Sequence, residues 1–113
     1  MDTLELSLDP VSVAVSLRQG DRKEVVLVCE MTAAERGAYL DEVRERVTPE
    51  GKAIKSLAGL QSKLLSLCLR RASDRSAIPE QEIEKWPATV VQRLFDEAQR
   101  INGLLAQDLP KKE

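Results

Sequence analysis

EVVLVCEMTAAE, residues 24–35, holds the point where the period of this chain changes. From Glu24 to Cys29 the apolar run is nearly continuous, the pattern of a strand covered on both faces and placed centrally in its sheet. Thr32-Ala33-Ala34-Glu35 then reads as a capping box, in which the Thr32 hydroxyl takes the third helical amide and Glu35 reaches back to the cap amide. The segments before this stretch repeat every second residue. Most of those after it repeat every three to four.

Working towards the N-terminus, Val11, Val13, Val15 and Leu17 alternate with Ser12, Ala14 and Ser16, and Arg18–Arg22 centres a polar hairpin loop on Gly20. Earlier still, Leu4, Leu6 and Leu8 alternate with Glu5 and Ser7, and Asp9-Pro10 turns the chain. The sequence therefore predicts a three-stranded meander over Leu4–Leu8, Val11–Leu17 and Glu24–Cys29. Its shared apolar face needs a cover before it is stable.

Helices supply the cover. The first carries Tyr39, Leu40, Val43 and Val47 on one side and ends at Thr48-Pro49, since the residue before a proline is pushed out of the helical region. A second is predicted from Ser56 to Ala72, with Leu57, Leu60, Leu64, Leu67 and Cys68 in one stripe and Leu65 and Leu69 widening it. So broad an arc means either a central helix with neighbours on two sides or a surface awaiting a partner. Arg70, Arg71 and Arg75 read as its solvated, dipole-compensating end.

Pro79-Glu80-Gln81-Glu82 starts a one-turn helix anchored by Ile83 and Trp86. Pro87 stops that turn and opens the last helix, whose apolar face is Val91, Leu94, Phe95, Ala98 and Ile101. Asn102-Gly103 caps it and Leu104 folds back on it. Trp86 is expected to plug the junction of the two helices. The fold class is α+β: an N-terminal three-stranded antiparallel β meander, then three main α-helices and a short turn helix. Residues 1–105 form one domain and 106–113 a polar tail expected to fray.

Composition narrows the chemistry. Aromatics are 3% of the chain, so the core must be aliphatic and no base-stacking platform is available. The net charge of −2 gives no overall footprint for nucleic acid, and no apolar run is long enough to span a membrane. There is no histidine, no metal-spaced cluster and no phosphate-cradling glycine loop, and Glu80, Glu82 and Glu84 diverge on a short helix. Cys29 and Cys68 lack CxxC spacing and read as small apolar core residues in a reducing cytoplasm. The expectation is a non-enzyme without cofactor or metal.

The succession of segments has a resemblance. A β meander precedes the capping box of Thr32 and Glu35 and a helix holding Ala38-Tyr39-Leu40. Gly59-Leu60-Gln61 then leads into Leu64–Leu69. Ile78–Ile83, Trp86-Pro87-Ala88, Val91, Leu94-Phe95, Ala98 and Asn102-Gly103-Leu104 close the chain. This order, over roughly residues 4–105, resembles the tail assembly chaperones of long-tailed bacteriophages and prophages. The resemblance implies a non-structural factor of the bacterial host cytoplasm. It would bind the tape measure protein, keep its apolar helices from aggregating and help recruit tail tube protein. The family's short product commonly ends near a programmed frameshift, and Pro110-Lys111-Lys112 has residues that a slippery heptamer can encode.

For such a role the surplus leucines are the candidate partner-binding residues. Leu57, Leu60, Leu65 and Leu69 would line an aliphatic groove between the second and third helices for an amphipathic client helix. The other reading of each is plain core. Thr32, Glu35, Trp86, Pro87, Phe95 and Gly103 are the expected structural anchors. Homo-oligomerisation fits too, through an open strand edge or the leucine face. The alternative function is a small cytoplasmic adaptor or regulatory protein acting through protein–protein contacts. A structural tail component would need more β structure.

Overall fold

In the computed structural model, which describes residues 3–46 and 58–104, the chain changes from strand to helix between Cys29 and Ala33, where the sequence places the change. Before it lies a hairpin of β1 (Ser12–Gln19) and β2 (Arg22–Cys29). Gly20 and Asp21 join the strands, and Gly20 takes φ 60°, a value that a two-residue hairpin turn requires and glycine adopts without strain. The antiparallel register sets Val13 opposite Val28 and Val15 opposite Val26. These residues share the core face with Leu17, while Ser12, Ala14 and Ser16 lie with Val25, Leu27 and Cys29 on the other.

The third strand is not the expected one. Leu4–Leu8 forms no strand, and Leu4, Leu6 and Leu8 are 81%, 76% and 100% exposed. Alternation makes a strand only where a free edge and a face to bury are both supplied, and nothing among the described residues covers this segment. The sheet is completed by β3 (Leu69–Arg71), antiparallel to β2 with Val28 opposite Leu69, in the order β1-β2-β3. β2 is thus central in the sheet, as its apolar run predicts. It is covered on one face only, since Val25 is 42% exposed and Leu27 and Cys29 are half-buried.

Pairing with β2 also corrects the second helix. α2 (Ala58–Cys68) stops short of Ala72 because the next residues turn their backbone to the β2 edge. Leu69 drops fully into the core as they do so. Arg70 and Arg71 are therefore strand residues rather than a solvated helix end. Arg70 lies 3.8 Å from Glu35, and Arg71 reaches Glu24 and Glu82. Arg75 sits in the following turn at φ 61°.

α1 (Ala33–Arg46) begins with the predicted capping box. Thr32 Oγ1 accepts the Glu35 amide at 3.2 Å and Glu35 Oε1 accepts the Thr32 amide at 3.0 Å. Its Tyr39 is buried, with Leu40 and Val43 packed beside it, whereas Val47 lies outside the described residues. α2 packs against α1, β2, the one-turn α3 (Glu80–Ile83) and α4 (Ala88–Ile101), so it is the central helix of the two readings its leucine arc allowed. Leu64, Leu65, Cys68, Leu69, Ile78 and Ile83 have no exposed surface. Val91, Leu94 and Ala98 close the core from α4. No helix of the described residues is long and apolar enough to cross a membrane.

The end of α4 does more than stop a helix. Gly103 takes φ 64°, its amide reaches the Arg100 carbonyl, and the Leu104 amide bonds the Gln99 carbonyl at 2.9 Å, which is the Schellman closure. Asn102, read from sequence only as part of the cap, is buried. Its Oδ1 accepts the Met31 amide at 2.7 Å and its Nδ2 donates to the Ala98 carbonyl at 2.9 Å, 3.5 Å from Cys68 Sγ. Arg36 donates to the Asn102 and Gly103 carbonyls. One side chain thus ties the strand-to-helix switch to the last helix.

Replacing Asn102 with Ala strands the buried Met31 amide, at a cost of about 1–3 kcal/mol. Urea denaturation should show the midpoint falling with an unchanged slope, and an unchanged midpoint would contradict the tie. Burial also raises the Tyr39 hydroxyl from its ordinary 10.0 to about 12 and the Cys68 thiol from 9.0 to about 12. The native state keeps both protons where the unfolded chain has shed them. Stability is therefore full below pH 9 and falls from there towards pH 12, at up to about 1.4 kcal/mol per pH unit for each group. A flat stability profile from pH 8 to 11 would contradict that burial.

Candidate protein-binding site

The leucines expected to line a groove do not form one. Leu60, Leu65 and Leu69 are core residues, at 7%, 0% and 0% exposure, and Leu57 lies outside the described residues. A broad arc on α2 needs no external partner once α1, α3, α4 and β2 surround it. The exposed large apolar residues are instead at the N-terminal side: Leu4, Leu6, Leu8, Val11 and Val25.

The other singled-out residues divide between scaffold and surface. Thr32 and Glu35 make the α1 cap, Gly103 closes α4, Pro87 sits at the N-cap of α4, and Phe95 packs half-buried against the core. Trp86 is at the α3–α4 junction as predicted, but it is half-buried rather than a sealed plug. Cys29 is likewise half-buried and Cys68 fully buried, both free thiols.

Trp86 lines a groove of about 780 Å³ between the β1–β2 hairpin tip and the α3–α4 corner. The elements place its parts by simple rules. The tight turn at Gly20 brings Leu17, Arg18, Gln19, Arg22, Lys23 and Glu24 to one end of the hairpin. Pro87 breaks the helical run after α3, which turns Lys85, Trp86 and Val90 towards that end. Leu17, Trp86, Pro87 and Val90 are its apolar part.

Its charges are unequal. Both carboxylates, Glu24 and Glu82, are held by one guanidinium: Arg71 Nη1 donates to Glu24 at 3.0 Å and Nη2 to Glu82 Oε1 at 2.6 Å. Those bonds, the Glu82 one foremost, hold the Arg71 guanidinium charged more firmly than usual. They also pin α3 to β2. Arg18, Arg22, Lys23 and Lys85 remain, and none of them pairs with a carboxylate among the described residues. On a chain of net charge −2 this is a local positive field around a half-buried aromatic. It suits an extended polypeptide that carries both carboxylates and apolar side chains.

Glu80, Glu82 and Glu84 do diverge: Glu82 turns to Arg71, and Glu84 Oε1 lies 3.2 Å from the buried Ser62 hydroxyl. Among the described residues, no group of three or more Cys, Asp or Glu side chains is placed to hold a metal ion. Compared with protein-family models, curated proteins and solved structures, the chain matches none.

Trp86 is the single tryptophan, so its fluorescence reports this groove alone. At low salt, the ratio of iodide to caesium quenching should exceed that of free N-acetyltryptophanamide several-fold, because the surrounding cations concentrate anions. A ratio equal to or below that of the free derivative would contradict the positive field.

Proposed function

We propose that this protein is a non-enzymatic assembly factor of the phage or prophage tail assembly chaperone type, which binds segments of the tape measure protein and assists tail tube assembly in the host cytoplasm. The order of its segments supports this reading, above all the Trp86-Pro87-Ala88 junction and the closing Asn102-Gly103-Leu104. The binding face differs from the one the leucine pattern suggested. The observation that carries it is the Trp86 groove, where four unpaired cations surround an apolar strip. Client segments with carboxylates flanking apolar residues fit it by charge and by surface.

One observation favours the second reading, a small adaptor or regulatory protein. With the α2 leucines sealed, the open surface suits one short partner segment better than a long apolar client.

The test titrates tape measure segments against Trp86 emission. Wild type should bind acidic, leucine-bearing segments, and the Lys85→Glu and Arg22→Glu variants should each weaken binding by about tenfold, or about 1.4 kcal/mol. Leu60→Asp and Leu65→Asp should unfold the protein rather than change affinity selectively. Folded wild type that binds no tape measure segment would overturn the chaperone reading. Binding unaffected by both charge reversals would overturn the groove.

A further inference from the structure

The sheet has two edges, and they are treated differently. β3 is three residues long and is backed by the following turn: Arg70 bridges Ala77, and the Arg71 amide bonds the Ser76 carbonyl at 2.9 Å. β1 is eight residues long and pairs with β2 alone. The Val11 carbonyl accepts the Glu30 amide at 2.8 Å, so odd-numbered residues of this strand turn their backbone to β2. The two-residue alternation then turns the amides and carbonyls of Ser12, Ala14, Ser16 and Arg18 outward. Among the described residues nothing takes these groups. Edge strands are ordinarily protected by charge, proline or a bulge, but from Val11 to Leu17 this one has none of them.

We propose that this edge is a self-association site: β1 of a second copy of this chain pairs antiparallel with it about a two-fold axis at Val15. The outward groups sit on even-numbered residues, so even must pair with even, Ala14 with the second copy's Ser16 and Ser12 with its Arg18. Directly opposed residues share a face. Val13 therefore meets the second copy's Leu17, and Val15 meets Val15. These three residues are half-buried in the single chain and become covered in the pair. A shift one way sets Pro10, which has no amide, where a hydrogen-bonded residue must stand opposite Arg18. A shift the other way sets Val13 against Gln19. The register centred on Val15 avoids both.

Charge selects the direction. The described segment entering β1 carries Glu5 and Asp9 and no basic side chain, while its far end carries Arg18, Arg22 and Lys23 against Asp21, with Glu24 held by Arg71. Antiparallel pairing brings the acidic entry of one copy beside the basic exit of the other, at both ends of the interface. Parallel pairing would set Arg18 against Arg18. The dimer interface shares Leu17 and Arg18 with the rim of the Trp86 groove, so pairing of β1 and occupancy of the groove are coupled.

A cysteine at the axis tests the register. Opposed residues of a non-hydrogen-bonded pair have Cα atoms about 4.5 Å apart, inside the disulfide window of about 4.4–6.8 Å. In a Cys29→Ser background, Val15→Cys should form a covalent dimer under mild oxidation on the order of tenfold faster than Val13→Cys. The two Val13 positions are about 13 Å apart in this arrangement. Sedimentation of the wild-type chain should show a concentration-dependent dimer. Ala14→Pro, which removes an outward amide, should abolish it while circular dichroism confirms the fold. If that variant unfolds, the crosslinking result stands alone. A wild-type chain that stays monomeric at millimolar concentration, or Val13→Cys crosslinking as fast as Val15→Cys, would overturn the proposal.

Discussion

The fold depends on α2 being enclosed. With so few aromatics, the chain must build its interior from aliphatic side chains. It does so by placing Leu64, Leu65, Cys68 and Leu69 at zero exposure, against β2, α1, α3 and α4 at once. Truncating one such buried leucine typically costs about 2–5 kcal/mol, a large part of what a domain this size possesses. Because α2 runs into β3 without a loop, the same residues that fill the core also complete the sheet. The Asn102 side chain fastens the remaining seam by satisfying Met31 where strand gives way to helix.

Enclosing α2 decides where the molecule can meet others. Had the leucine arc stayed open, a helix-in-groove surface would follow. Since it is closed, the exposed apolar residues and unpaired cations concentrate around the β1–β2 hairpin, its N-terminal approach and the α3–α4 corner. Arg71 shapes this side by binding both groove carboxylates and leaving the surrounding cations without acidic partners. Stability is thus assigned to the enclosed α2 and interaction to the hairpin tip and the α3–α4 corner, where Leu17, Trp86 and Val90 also pack on the edge of the core.

Local rules were legible in the sequence. The Thr32–Glu35 box, the Gly20 turn, the Pro87 break and the Gly103 closure each depend on a few adjacent residues, and each lies where its residues predict. Non-local pairing was not legible. Leu4–Leu8 and Leu69–Arg71 would join opposite edges of the hairpin, the first beside β1 in the predicted meander and the second beside β2. The stronger alternation belongs to the first, yet only the second forms a strand, because α2 delivers Leu69 to the core and β3 follows at no cost in loop closure. Whether Leu60 or Leu65 is core or surface likewise turns on how many neighbours α2 acquires. The Trp86 groove assembles residues far apart in the chain, and only the lone tryptophan beside Pro87 hinted at it.

Residue-resolved amide hydrogen exchange on the dilute monomer tests most directly the claim that the open surface is the β1 edge and the closed one is α2. The account predicts slow exchange through Leu64–Cys68 and alternation in β1, with Val13, Val15 and Leu17 protected and Ala14, Ser16 and Arg18 exchanging freely. Uniform protection along β1 together with rapid exchange in α2 would contradict it.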